Sequence, residues 1–192
     1  MGLRLRPRAP SRQPDQLANG ESGQALLELA LVTPILVLMI MAIFQFAYVI
    51  ESQMGLTNAV REGARRAAAT TTPAPVWADL GAWVQAELCG DASAPCDGGL
   101  LNQNVHGFDP DRLVPAMPTV TFCRYDAAGE LQYRIQVDVS YEHPIFFGPM
   151  TFATDAVDGN PNGSWGMSAS AQMRLENPDD GEPTFDNSLP SC

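Results

Sequence analysis

Residues 29–50 read LALVTPILVLMIMAIFQFAYVI, an uncharged apolar run that decides the architecture of the chain. As a helix rising 1.5 Å per residue it extends about 33 Å, which matches a hydrocarbon core of about 30 Å. Thr33 and Gln45 are its clearest polar interruptions, and Pro34 stands near its beginning. A proline is tolerated in such a helix when a neighbour satisfies the freed carbonyl. Tyr48 falls near the far end, where an amphipathic ring suits the membrane–water interface. A cleavable secretory signal is the rival reading. Its apolar core runs about 7–15 residues and ends in a small-residue site. This run is longer, and the small residues Ala67–Ala69 come only after a charged stretch.

On either side of the run the charge differs. Arg4, Arg6, Arg8 and Arg12 precede it, whereas seven Arg and eighteen acidic residues lie between Ser52 and Cys192. The positive-inside rule then places the N-terminus in the cytoplasm and the rest of the chain outside. Every basic residue is Arg, and the net charge is -11. That excess of negative charge argues against nucleic-acid binding, which requires cations to displace counterions. The lipid bilayer is the first partner expected.

All four cysteines, Cys89, Cys96, Cys123 and Cys192, follow the apolar run. An oxidising outer compartment favours disulfides. Four cysteines admit three pairings; the short Cys89–Cys96 loop is preferred here, leaving Cys123 for Cys192, with a free Cys192 as the alternative. There is no Cys-x-x-Cys and only two histidines, His106 and His143, so a zinc site is not expected. The nearest approach to a metal motif is Asp158, Asn160 and Asn162, which fit the first half of a calcium loop. Its twelfth position, where a bidentate Glu is needed, holds Ala169. A hairpin turn explains the same residues. Asp109 and Asp111 flank Pro110 beside Arg112, and a loop carboxylate pair of this kind more often keeps the loop hydrated than performs acid–base work. No nucleophile pattern or phosphate-cradling loop accompanies them. The expectation is a protein that is not an enzyme, without catalytic residues or cofactor.

Just upstream of the run, Gly23 is followed by Gln24, Ala25, Leu26, Leu27 and Glu28. A carboxylate at the edge of a bilayer becomes tolerable beside a cation, and cutting after Gly23 creates an α-ammonium with an unperturbed pKa of about 8. Glu28 could then pair with Gln24 of a neighbouring subunit. Downstream, Leu56–Ala69 reads LTNAVREGARRAAA, an Ala-rich continuation of the helix. Ala59, Gly63 and Ala67 recur every four residues and form a small-residue face for close helix contact.

Together these elements resemble the TadE-like family of pilus-associated proteins. The resemblance rests on the Gly-x-Ala-x-x-Glu start, the Pro within the run, and the match of Asn58, Ala59, Arg61, Glu62, Gly63, Ala64 and Arg65 to an Asn-Ala-x-Arg-Glu-Gly-Ala-Arg stretch. It implies processing between Gly23 and Gln24 by a prepilin peptidase, with Glu28, Pro34, Ala59, Gly63 and Ala67 expected to take part in subunit packing. It further implies that other pilins or pseudopilins and the pilus assembly platform are partners. The implied function is that of a minor pilin or pseudopilin of a tight-adherence pilus. The alternatives are an unprocessed single-pass protein whose acidic outer domain is a binding module, and a secreted enzyme or calcium protein released by signal cleavage.

The expected organisation has four parts: a cytoplasmic leader over residues 1–23, the transmembrane helix and its outer extension over 24–72, an extracytoplasmic α+β domain over 73–176, and an acidic flexible tail over 177–192. Within the domain, Val76–Leu88 reads as a helix with Val76, Leu80, Trp83, Val84 and Leu88 on one stripe. Asp91–Ala116 reads as loop. Thr119–Tyr125 and Leu131–Tyr141 read as strands of a hairpin turning through Asp126–Gly129. Tyr133, Ile135, Val137, Val139 and Tyr141 alternate with polar residues along the second of them. Gly166–Leu175 reads as a third strand with Met167, Ala169, Ala171, Met173 and Leu175 inward. The fold class that follows is α+β and pilin-like: a long N-terminal helix whose outer part packs on a small antiparallel sheet.

Overall fold

The computed structural model describes residues 18–69, 77–91, 93–127, 130–159 and 162–175. The chain divides into two compact units, residues 1–41 and 42–192. A single helix, α1 (Ala18–Ala68), crosses that boundary.

In the first unit, every α1 side chain from Gly23 to Met41 is exposed. The most apolar window of the helix has none of its residues buried, unlike the core helix of a globular domain. Pro34 lies inside the helix, and Thr33 beside it donates its hydroxyl to the Leu29 carbonyl at 2.6 Å. Such bonds to the preceding turn let a polar side chain sit in an apolar helix.

The second unit contains the last part of α1 and the following elements: α2 (Trp77–Cys89), α3 (Gly99–Asn104), β1 (Thr119–Ala127), β2 (Glu130–Pro144), α4 (Gly148–Asp158) and β3 (Ser164–Arg174). The three strands form an antiparallel sheet in the order β1-β2-β3. Phe122 stands opposite Ile135, Val137 opposite Ala171, and Tyr141 opposite Met167. The fold is α+β, with a long N-terminal helix and a small antiparallel sheet, as expected.

Alternation determines which face of the sheet is dry. Ile135, Val137, Val139 and Tyr141 of β2 are buried, and Met167, Ala169 and Ala171 of β3 join them. Leu56, Val60 and Ala64 of α1, Leu80, Val84 and Leu88 of α2, and Leu100 and Leu101 of α3 belong to the same core. Polar links tie the layers. Gln53 of α1 donates to the Ser168 carbonyl of β3 at 2.9 Å, and Gln85 of α2 donates to the Pro118 carbonyl at 2.9 Å. Trp83, expected on the inward stripe of α2, is 38% exposed.

The stretch Asp91–Ala116, read from the sequence as loop, contains α3 and a 3-10 turn at Pro110–Arg112. Its turn and helix signals are short. α3 has only Leu100 and Leu101 to bury, and it is held by a close backbone crossing. Gly90 (φ +85°) and Gly99 (φ +65°) make that crossing possible: a Cβ on Gly99 would lie 2.5 Å from the Gly90 nitrogen and 2.6 Å from the Glu87 carbonyl oxygen. Gly98 N–H donates to the Cys89 carbonyl at 2.7 Å, and Cys89 and Cys96 are joined by a disulfide at the same place. α4 is a further helix absent from the sequence reading. Pro149 stands in its first turn, and Gly159 in the left-handed conformation ends it.

Candidate functional site: the apolar helix, its motif and the cluster at the end of the run

Gly23, Gln24 and Glu28 all lie on α1 with exposed side-chain positions. The helix begins at Ala18, so the Gly23–Gln24 bond lies within a helical segment and not at its start. A Cβ at Gly23 would meet nothing within 4 Å. Accessibility at this bond therefore depends on no other described part of the chain.

The motif Asn58–Arg66 splits along the helix into two faces. Asn58, Arg61, Arg65 and Arg66 are exposed, whereas Ala59, Gly63, Ala64 and Ala67 are buried. Ala59, Gly63 and Ala67 were expected to receive a neighbouring helix. They form a close-contact face, but the contact is made inside the chain: a Cβ on Gly63 would stand 2.9 Å from Leu88 Cδ2 of α2. The small side chains thus let α2 approach α1, and this face is not open to a second subunit. Sequence reasoning missed Gly55, which has the tightest approach of all. A Cβ there would fall 2.1 Å from the Asn104 carbonyl oxygen of α3.

On the exposed face Glu62 holds two arginines. Arg65 donates to both of its carboxylate oxygens at 2.8 Å, and Arg66 Nε donates to one at 2.8 Å. These guanidiniums hold the Glu62 carboxyl, well beyond the apolar run, down at about 2. Arg66 also pairs with Glu87 of α2. Asn58, Arg61, Glu62 and Arg65 line one shallow open cleft together with Leu100 and Asn104. The motif's polar residues therefore present an ordered, mainly cationic strip on an otherwise acidic chain.

A third cluster surrounds the C-terminal end of the apolar run, within the second unit. Gln45 is only 5% exposed. Its side-chain oxygen accepts the backbone N–H of Phe146, in the β2–α4 loop, at 3.0 Å. Tyr48, nearly one turn further along α1, meets Phe146 edge-on with centroids 6.5 Å apart and stacks on His106 at 6.2 Å. Phe146 in turn meets His143 at 6.2 Å, and His143 lies 6.4 Å from Tyr141. Tyr141 stacks on Phe108 at 5.4 Å, and its hydroxyl accepts the Asp109 N–H at 3.1 Å. Burial raises the Tyr141 pKa above its usual value, chiefly by withholding water from the phenolate. Burial likewise lowers that of His143, with the Arg112 charge adding to the effect. The cue in the sequence was a lone Gln inside an apolar run, but nothing local identified its partner.

The calcium candidates are engaged otherwise or fall outside the description. Asn162 Oδ1 accepts the Ser164 N–H at 3.0 Å, and its Nδ2 donates to Glu142 at 3.0 Å. Asp155 accepts the Gly163 N–H at 3.2 Å. These bonds shape the connection from α4 into β3; the hairpin turn expected at these residues is instead the C-terminal end of a helix, with Asp158 as its last residue. The Asp158 side chain and Asn160 lie outside the described residues. Among the described residues no group of three or more His, Cys, Asp or Glu could hold a metal ion. Asp109 caps the 3-10 turn through the Asp111 N–H at 3.2 Å and pairs with Arg112 at 3.2 Å. Cys123 is also disulfide-bonded; its expected partner, Cys192, lies outside the described residues, as do the leader up to Leu17 and the acidic tail.

These features define an α+β protein that has, among the described residues, one helix long and apolar enough to cross a membrane. Residues 23–65 match the model of the family described as TadE-like protein, and this segment of the chain is similar to that family. The match runs from Gly23 to Arg65, covering the apolar run and the Asn58–Arg65 motif and stopping before α2. It associates the segment with tight-adherence pilus proteins. No curated protein and no solved structure matches the chain.

Proposed function

We propose that the protein is a minor pilin or pseudopilin of a tight-adherence pilus, structural and not catalytic. It is held in the inner membrane by α1, with its N-terminus in the cytoplasm and residues beyond the run outside. The observation that carries this reading is the match over residues 23–65. It falls on a helix whose most apolar window has none of its residues buried, and which carries Gly23, Gln24 and Glu28 just ahead of the apolar run. A bare apolar helix requires either lipid or other helices around it. A pilin uses the two in turn, first in the membrane and then in a filament.

On this reading a prepilin peptidase cuts after Gly23. The new Gln24 ammonium of one subunit pairs with Glu28 of its neighbour, and the exposed strip around Arg61 and Arg65 engages the assembly platform or an adjoining subunit. The small face of Ala59, Gly63 and Ala67 has no part in this, being covered by its own chain.

Amino-terminal sequencing of protein from its native host tests the proposal. A start at Gln24 supports it, and an intact leader on every copy overturns it in favour of an unprocessed anchor bearing a binding domain. Glu28→Leu is expected to leave processing intact and abolish incorporation into the assembly. Unchanged incorporation removes the pairing role.

A further inference from the structure

The β2–α4 loop is fastened to α1 at a level inside the apolar run. Gln45, which receives the Phe146 N–H, precedes Ile50 by five residues, about 7.5 Å along a helix. If α1 spans a bilayer, its outer boundary lies near Ile50, and the loop joined to Gln45 is at or below that boundary. Phe146 nevertheless stands 72% exposed. The α1 side chains at the same level, Phe44, Phe46 and Ile50, are exposed as well.

We propose that Phe146 and the loop around it, with Tyr48 and His106, are an interfacial collar seated in the outer leaflet. The outer domain then lies docked on the lipid surface instead of swinging above it on α1. The inference rests on the membrane-spanning reading of α1 and goes beyond it, because a spanning helix alone demands no contact between the domain and lipid.

Three observations select lipid as the occupant. The exposed Phe146 ring is continuous, through its contact with Tyr48, with the exposed apolar surface of α1 that the membrane-spanning reading assigns to lipid. Tyr48 and His106 pair an apolar body with a polar edge, the chemistry favoured at the membrane–water interface. Gln45 is a polar group in the run whose side-chain oxygen lipid could not satisfy, and the loop backbone supplies a donor to that oxygen and buries the side chain. The net charge of -11 gives no attraction to anionic headgroups. A zwitterionic surface therefore suffices.

The test uses the full chain reconstituted in phosphatidylcholine vesicles, with nitroxide labels at Phe146→Cys, Tyr125→Cys or Leu36→Cys. Tyr125 is exposed and pairs with Gln132. Along β2 this is about 40 Å from Pro144, so it serves as the aqueous reference. The collar predicts an oxygen-to-nickel-complex collision ratio several-fold higher at 146 than at 125, approaching that at 36. A ratio at 146 equal to that at 125, with 36 still lipid-exposed, overturns the collar and leaves the anchor standing. A water-like ratio at 36 overturns the spanning reading itself. Spin–spin broadening at 146 that disappears on dilution with unlabelled chain makes a second copy the occupant and also overturns the lipid assignment. Adding anionic lipid is expected to leave the ratio at 146 unchanged.

Discussion

The side-chain oxygen of Gln45 accepts the backbone N–H of Phe146 across 101 residues of sequence, at 3.0 Å. One bond thereby relates the end of the apolar run to the end of β2. Loss of the acceptor leaves the part-buried Phe146 N–H short of a partner, at the low end of the about 1–3 kcal/mol that an unmatched buried donor costs. In Gln45→Leu this is partly offset, because Gln45 Nε2 is itself buried with no hydrogen-bond partner. The expected net loss is about 1 kcal/mol. Amide exchange at Phe146 in detergent micelles should accelerate relative to amides in the centre of β2. Unchanged exchange there would mean that the bond does not hold the loop.

Gly55 and Gly63 make an instructive pair. Alanine at Gly55 drives a methyl into the α3 backbone, 2.1 Å from the Asn104 oxygen. Alanine at Gly63 meets only the end of the Leu88 side chain, at 2.9 Å, and that side chain can rotate. Both substitutions gain about 1 kcal/mol of helix propensity. Overpacking of about 3 kcal/mol leaves Gly55→Ala destabilised by about 2 kcal/mol, with Gly63→Ala close to neutral. Thermal unfolding of the two variants in parallel decides the order.

His143 is 3% exposed, and both of its ring nitrogens are buried with no hydrogen-bond partner. Its pKa in the folded chain is depressed, by burial first and by the Arg112 charge second. In the unfolded chain it titrates at about 6.5. As the pH falls through that value, the unfolded chain takes up a proton that the folded chain resists, so stability declines on acidification and is level above neutrality. Unfolding measured between pH 7.5 and 5.5 should show this decline, and His143→Phe should flatten it. An identical slope in the variant would assign the decline to other groups.

The Cys89–Cys96 disulfide closes a short loop, with a sequence separation of seven. Loop-closure entropy for a ring of that size stabilises the fold by about 2.5 kcal/mol. Both residues are fully buried, and the bridge lies where Gly90 and Gly99 bring α2 against α3. The double variant Cys89→Ser, Cys96→Ser is expected to unfold at clearly lower denaturant concentration. The slope of the transition should stay nearly constant.

Much of the fold was legible in local pattern. The five-fold alternation Tyr133–Tyr141 specified a half-buried strand, and the structure extends it to Pro144 with His143 continuing the buried series. The motif Asn58–Arg65 was equally plain, since its order and spacing are read directly. α3 and α4 escaped notice because elements of six and eleven residues are too short for a helical period to stand out from the turn residues around them. The small-residue face of α1 was visible as a face, but composition does not say which helix will cover it.

By itself the sequence determined that a long bare helix leads into an antiparallel hairpin, because apolar run length and side-chain alternation are set residue by residue along the chain. Only the tertiary structure decided that Ala59, Gly63 and Ala67 are buried within the chain with Leu88 of α2 against Gly63, that Asn104 of α3 lies against Gly55, and that a loop 101 residues away reaches the side-chain oxygen of Gln45. Those outcomes depend on which surfaces meet in space, and a buried polar or glycine position takes its meaning from the partner that reaches it.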